Sequence, residues 1–122
     1  TVIGADTGVF SDGKILGKPT SEQNAREMLG SLSGKTHKVI TGCAVVKNGI
    51  CLSFSEETAV EFYPLAENEI NDYLLTGEPF DKAGAYGIQG KGGLFVKRID
   101  GDYFNVVGLP VAKLKRFLNE MP

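Results

Sequence analysis

The chain is 122 residues long and 42% of its residues are hydrophobic, which is enough for one domain of ordinary size with a real core. Its formal net charge of −2 and isoelectric point near 5.4 argue against a surface dedicated to nucleic acid or anionic lipid, while leaving room for a small basic pocket. No apolar run approaches the roughly 20 residues that span a bilayer. We therefore expect a single cytoplasmic domain over residues 1–122, with neither nucleic acid nor membrane as a partner.

Two short antiparallel strands, residues 2–10 and residues 14–17, are predicted at the start of the chain, on either side of the turn sequence Ser-Asp-Gly. A three-residue loop at this turn places Asp6 opposite Lys18, whereas a two-residue loop places Thr7 opposite Lys18. Either register gathers a carboxylate, a hydroxyl and an ammonium group on one wall of a cleft, which suits a metal-bound polyphosphate. The ordinary alternative is an exposed cross-strand ion pair.

A helix and a long hairpin follow. Thr20 is the predicted N-cap of the helix, with Gln23 as its capping-box partner, and Gly34 ends it. Residues 38–63 are rich in Val, Ile, Thr, Phe and Tyr and are interrupted only by an Asn-Gly turn at residues 48–49. This pattern predicts a long antiparallel hairpin at the centre of the sheet.

The last third of the chain alternates short elements. Residues 67–75 predict a second helix with Gly77 as its C-cap residue, residues 94–99 predict a strand, and Pro110 begins a third helix. Strands and helices do not alternate strictly, so parallel β-α-β units are not indicated. We expect an α+β fold, with a mixed, largely antiparallel sheet and a long central hairpin flanked by three helices.

The cysteines and the single histidine indicate structural roles. In the predicted hairpin Cys43 faces Phe54 and not Cys51, so both cysteines are expected to be buried free thiols in a reducing compartment. His37 has no Cys or carboxylate at ligand spacing, and we expect it to be structural or exposed.

The most unusual sequence feature is the glycine-rich segment, residues 81–93, in which five glycines surround a single amide side chain, Gln89. It is not a phosphate-binding P-loop, because Ala85 and Gly92 stand where that motif requires Gly and Ser or Thr. The Gln89 amide is complementary to the N–H and C=O of a uracil or thymine imide, and it could also face adenine. The ordinary alternative is that the glycines form tight turns and Gln89 caps one of them.

Four stretches of the chain together closely resemble the Maf family, also called septum formation inhibitor proteins, which are nucleoside triphosphate pyrophosphatases. They are ADT at residues 5–7, GKP at residues 17–19, the glycine-rich segment, and DYFNVVGLP at residues 102–110. The resemblance covers nearly the whole chain and implies a Maf/ITPase-like fold. ADT and GIQG are similar to the branch that acts on dTTP and UTP.

The resemblance also implies roles for individual residues. Asp6 falls on the family's proton acceptor and is a candidate ligand for a divalent cation, Mg²⁺ or Mn²⁺. Lys18 falls on the phosphate-contacting lysine, and Thr7 and Gln89 fall on the positions that select the base.

Two further residues, Asp81 and Lys82, are second-rank candidates because they lead into the glycine-rich segment. They either face the ligand or form an ordinary polar turn.

The chain departs from the family pattern in two ways. Gly8 stands where the family usually has an apolar residue, which loosens the strand beside Asp6. The family's Ser-x-x-Pro-Arg-Arg segment, expected to supply phosphate-binding arginines, is absent. We therefore expect this polypeptide by itself to be inactive or only partly active, and to associate with a second copy or with the missing N-terminal segment.

Two other functions are compatible with the same residues. One is a non-catalytic nucleotide-binding or regulatory protein linked to septum formation and cell division. The other is a hydrolase that acts broadly on modified nucleotides. Release of pyrophosphate separates the first from an enzyme, and a panel of substrates identifies the second.

Overall fold

A computed structural model, which describes residues 1–122, confirms the α+β fold and has a five-stranded sheet in the order β2-β1-β3-β4-β5. Every neighbouring pair of strands is antiparallel, so the sheet is not mixed. The strands are β1 (Val2–Ser11), β2 (Lys14–Leu16), β3 (Thr36–Lys47), β4 (Ile50–Phe62) and β5 (Val96–Asp100). The α-helices are α1 (Glu22–Leu32), α2 (Glu67–Leu74), α3 (Tyr103–Val107) and α4 (Val111–Glu120), one more than the sequence predicted. None of these helices has the length and apolar character needed to cross a membrane.

The central hairpin has the predicted register. Asn48 and Gly49 both have positive φ angles, 52° and 77°, which form a two-residue turn whose twist matches that of the strands. Cys43 consequently pairs with Phe54, and Cys51 with Val46. Both thiols are free, but only Cys43 is buried; Cys51 is exposed, contrary to expectation.

The opening hairpin adopts the shorter of the two predicted loops. Asp12 and Gly13 have φ angles of 50° and 75°, and β2 pairs with β1 only from Ser11 back to Val9. The outer edge of β1 over residues 2–8 therefore has no partner strand.

All four α-helices lie on one face of the sheet. The larger core joins α1 and α2 to Val9, Val39 and Val60, and a smaller one packs Leu114 of α4 on Val45. Alternate residues of β3, beginning at His37, are buried on this face. The residues between them are exposed or half-buried, so the opposite face is largely open.

Some local predictions were wrong. The N-cap of α1 is Ser21, whose hydroxyl accepts a hydrogen bond of 3.0 Å from the backbone N–H of Asn24, and not Thr20. Gln23 donates to Glu27 instead of closing a capping box. Three short 3₁₀ turns were not anticipated: Glu78–Asp81, Ala83–Ala85 and Lys91–Phe95. The last of them delays the start of β5.

The unpredicted helix α3 is fixed to the sheet by one buried amide. The Nδ2 of Asn105 lies 3.0 Å from the carbonyl of Val39, 3.1 Å from that of Glu56 and 3.0 Å from the hydroxyl of Thr58. Asn105 is completely buried. These contacts fix α3 on β3 and β4, and the carbonyl of Gly108, just after α3, accepts a hydrogen bond from Thr7 of β1.

Candidate functional site

A cavity of about 570 Å³ opens on the helix-covered face of the sheet, between β1, the end of α3 and the glycine-rich segment. Its volume lies within the range of small-molecule sites, roughly 300–1,000 Å³. The lining residues are Thr7, Val9, Lys18, Val39, Glu78, Asp81, Lys82, Ala83, Tyr86, Gly87, Ile88, Gln89, Gly90, Val106, Val107 and Gly108.

Five of the six residues singled out from the sequence line this cavity: Thr7, Lys18, Asp81, Lys82 and Gln89. They come from three separate parts of the chain, and the fold brings them together. The cavity lining carries two ammonium groups, those of Lys18 and Lys82, and two carboxylates, those of Glu78 and Asp81; Lys82 is paired with Asp81 at 3.4 Å. Lys18 makes no ion pair within 4.0 Å, so its ammonium group is the one available to an anionic ligand.

Asp6 is the exception. Successive residues of a strand point to opposite faces, so Asp6 lies on the open face while Thr7 lies on the cavity side. There it borders a shallow depression with small residues, among them Gly42 and Ala44. The expectation that Asp6 and Lys18 share one wall of a cleft is therefore wrong.

Thr7 is held by two hydrogen bonds. Its hydroxyl lies 2.9 Å from that of Thr41, its partner on β3, and donates to the carbonyl of Gly108 at 3.1 Å. Thr41 is completely buried and has no other hydrogen-bond partner, so its own proton must point to Thr7 to be satisfied. The Thr7 oxygen therefore faces the cavity as an acceptor.

Gln89 is exposed at the rim of the cavity, and its side chain makes no hydrogen bond within the protein. It does not cap a turn of the glycine-rich segment, as the ordinary alternative required. Its amide is free to contact a ligand.

The glycine-rich segment is organised around Glu78, which the sequence analysis did not single out. The Glu78 carboxylate accepts hydrogen bonds from the Tyr73 hydroxyl at 2.8 Å and from the backbone N–H groups of Lys91 and Gly92 at 3.1 and 3.2 Å. Burial raises the pKa of Glu78, but these hydrogen bonds and the nearby charge of Lys82 outweigh burial and hold the pKa below its ordinary value. Glu78 is therefore ionised at neutral pH.

Close packing around Glu78 explains two of the glycines. A Cβ atom on Gly90 would collide with the Glu78 carboxylate. A Cβ on Gly87 would lie 2.6 Å from the Lys82 side chain. A side chain at Gly90 would displace the hydrogen-bonded Glu78 carboxylate, whereas a side chain at Gly87 would require the flexible Lys82 chain to move.

A buried pair beneath the cavity was also missed. The Nε2 of His37 lies 2.6 Å from the hydroxyl of Tyr86, and both rings make edge contacts with Phe62. Burial lowers the pKa of His37 from 6.5 to about 4. Since Tyr86 lines the cavity, the neutral His37 ring supports its floor.

The local sequence offers little sign of these contacts. Glu78 lies outside the glycine-rich segment, and His37 and Tyr86 are separated by 49 positions. The only available signal is spacing: the apolar alternation of β3 places His37 on the same face as Val39 and Thr41.

Comparison with known proteins gives consistent results. The family model described as Maf-like protein matches residues 1–121. A dTTP/UTP pyrophosphatase of Bacillus pumilus (strain SAFR-032) is 60% identical over 117 residues, which cover 96% of this chain and 62% of that protein. Proteins of the same name from Bacillus cereus (strain ATCC 14579) and Halalkalibacterium halodurans are each 55% identical, over 98% and 96% of this chain and 62% of their own lengths. The chain thus spans less than two thirds of these relatives.

The buried His37 predicts a pH dependence of stability. The folded-state pKa, about 4, lies below the ordinary 6.5, so the unfolded state binds the proton more tightly. The neutral His37 ring therefore contributes to the free energy of unfolding above pH 6.5, and this contribution is lost as the pH falls towards 4. The loss is about 3 kcal/mol at most. Urea unfolding at several pH values between 4 and 7 measures it. Because the chain has one histidine, its imidazole NMR signal titrates without ambiguity.

The control for this prediction is His37→Gln, which keeps a polar partner for Tyr86 but does not titrate. The variant should lose the part of the pH dependence between 5 and 6.5, where few carboxylates titrate. An unchanged slope in the variant, or an imidazole pKa near 6.5 in the folded protein, would contradict the prediction.

Proposed function

Because the chain belongs to the family of Maf-like proteins, we propose that the whole protein hydrolyses dTTP or UTP to the monophosphate and pyrophosphate. The observation that carries the proposal is the cavity, where the free Gln89 amide, the Thr7 oxygen and the Lys18 ammonium group come together from distant parts of the chain. The names of the relatives support a hydrolase over a regulatory nucleotide-binding protein. The proposed setting is cytoplasmic, and the proposed protein partner is a second copy of the chain or the family's N-terminal segment.

The base is proposed to lie between Thr7 and Gln89. The imide of uracil or thymine presents an N3–H donor beside an O4 acceptor. The Thr7 oxygen, whose own proton is directed to Gly108, accepts from N3–H, and the NH₂ of Gln89 donates to O4. Cytosine presents an acceptor at N3, which is mismatched with the Thr7 oxygen, and a donor at C4, which Gln89 can meet only by turning its amide oxygen towards it; the N3 mismatch disfavours CTP.

The triphosphate is proposed to leave the cavity past Lys18 and cross the outer edge of β1. That edge is open because β2 pairs with β1 only as far as Val9. The phosphates then reach the open face of the sheet, where Asp6 takes the proton of the attacking water. Lys18 offsets the charge that develops on the phosphates, and Lys82 has a secondary role.

A divalent cation is part of the proposal. No group of three or more His, Cys, Asp or Glu side chains is arranged to hold a metal ion by itself. Mg²⁺ or Mn²⁺ bound with a triphosphate needs only one or two protein carboxylates, because phosphate oxygens and water complete its coordination. Asp6 fits this requirement, since it is exposed and makes no ion pair within 4.0 Å. Bound there, the cation supplies neutralising charge to the phosphates.

Asp6→Asn in the whole protein should reduce turnover by roughly 100-fold or more, because it removes the proposed proton acceptor at nearly constant volume. Steady-state release of pyrophosphate from UTP measures the loss. Asp72→Asn is the matched control, since Asp72 is an exposed residue of α2 away from the cavity. Turnover within a few-fold of the parent would move the proton acceptor elsewhere, with Asp81 the next candidate.

Gln89→Glu should lower the use of dTTP and UTP by about tenfold or more, because a carboxylate oxygen replaces the NH₂ donor opposite O4 and a mispaired contact costs about 1–3 kcal/mol. CTP, with an amino group at that position, should lose less. The kcat/KM values for dTTP, UTP, CTP and a purine triphosphate measure the effect. Gln23→Glu, an exposed change on α1, is the control. An equal loss for all four substrates would mean that Gln89 maintains the shape of the segment and does not read the base.

A further inference from the structure

Tyr73 and Glu78 bind the backbone of the glycine-rich segment on both sides of Gln89. The Tyr73 hydroxyl accepts from the backbone N–H of Gly87 at 3.0 Å and donates to Glu78 at 2.8 Å. Glu78 in turn accepts from the N–H groups of Lys91 and Gly92. One anchored amide, that of Gly87, therefore lies two positions before Gln89. The other two, those of Lys91 and Gly92, lie two and three positions after it.

Other contacts hold the middle of this segment only lightly. The backbone N–H of Gly90 reaches the Gly87 carbonyl at 3.4 Å, and that of Gly93 reaches the Gly90 carbonyl at 3.1 Å. Gln89 itself is exposed. Glycines add backbone freedom on both sides, so the position of the amide depends on where the flanking residues are anchored.

The anchor itself is well fixed. Tyr73 is buried in α2 and packs edge-on against Phe95 with ring centroids 4.9 Å apart. A Cβ on Gly92 would lie 2.7 Å from the Tyr73 hydroxyl, and one on Gly90 would overlap the Glu78 carboxylate. The segment is thus shaped to fit these two side chains, and it has little room to shift while both remain bound.

We propose that Tyr73 and Glu78 are positioning residues for base selection: they hold Gly87, Lys91 and Gly92 so that the Gln89 amide is presented to the cavity at a fixed distance from Thr7. This inference rests on the proposed function for the identity of the base. Neither side chain reads the base itself. Their effect on selectivity passes through the backbone of the glycine-rich segment.

Tyr73→Phe is the sharpest test, because it removes one hydroxyl from the centre of the network and leaves the buried ring against Phe95. The N–H of Gly87 then loses its acceptor and Glu78 loses one donor. Amide exchange measured by NMR should become about tenfold faster or more at Gly87, and clearly faster at Lys91 and Gly92, with little change in β3. Tyr63→Phe, a change at an exposed ring, is the matched control.

The second readout is selectivity in the whole protein. In Tyr73→Phe the ratio of kcat/KM for UTP to kcat/KM for CTP should fall by about tenfold. A purely structural role would instead lower the two kcat/KM values by the same factor and leave their ratio unchanged. Glu78→Gln should act in the same direction, since one amide oxygen replaces two carboxylate oxygens. The double variant should lose less than the product of the single losses, because both residues belong to one network.

The outcomes separate this inference from the proposed function. An unchanged UTP-to-CTP ratio in Tyr73→Phe, or unchanged exchange at all three amides, would overturn the positioning role even if the parent cleaves UTP. If the parent releases no pyrophosphate from any triphosphate, the proposed function fails. In that case the positioning role is tested by binding. The dissociation constants of non-hydrolysable UTP and CTP analogues are measured for the parent and for Tyr73→Phe, and the preference for the UTP analogue should fall in the variant.

Discussion

The helices of this molecule pack on only one face of the sheet, and this constraint determines what each strand residue does. Because side chains alternate between faces, Thr7 and Asp6 are neighbours in sequence but lie on opposite sides of β1. One borders the cavity and the other faces solvent. A ligand that uses both must pass around the edge of the strand, and the short pairing of β2 leaves that edge open.

The elements that the sequence predicted well are those determined by local chemistry. The Asn-Gly turn at residues 48–49 determines its own geometry, and the register of the whole central hairpin follows from it. The opening turn left two registers open because a Ser-Asp-Gly sequence suits both loop lengths. Helix α3 was missed because five residues are too few for a periodic pattern; its position depends on buried contacts of Asn105 with β3 and β4, far away in sequence.

The candidate site was predicted only where local sequence features pointed to it. Composition drew attention to the glycine-rich segment, and the amide of Gln89 indicated hydrogen bonding to a base. The reason for Gly90 did not emerge from the sequence: the space that its side chain would need is taken by the Glu78 carboxylate. That contact joins two segments with no common sequence pattern, so only the folded chain reveals it. Burial of His37, in contrast, could have been found from the alternation along β3.

The open edge of β1 has a consequence for behaviour in solution. Its unpaired N–H and C=O groups offer a template on which another extended chain can add a strand, and Val2 and Ile3 beside them are 67% and 44% exposed. Charged side chains are one of the means by which proteins discourage such edge-to-edge aggregation. Asp6 is the only charged residue on this open stretch. Within residues 1–122, the Asp6 carboxylate is therefore the one charge that discourages pairing of this edge with another chain.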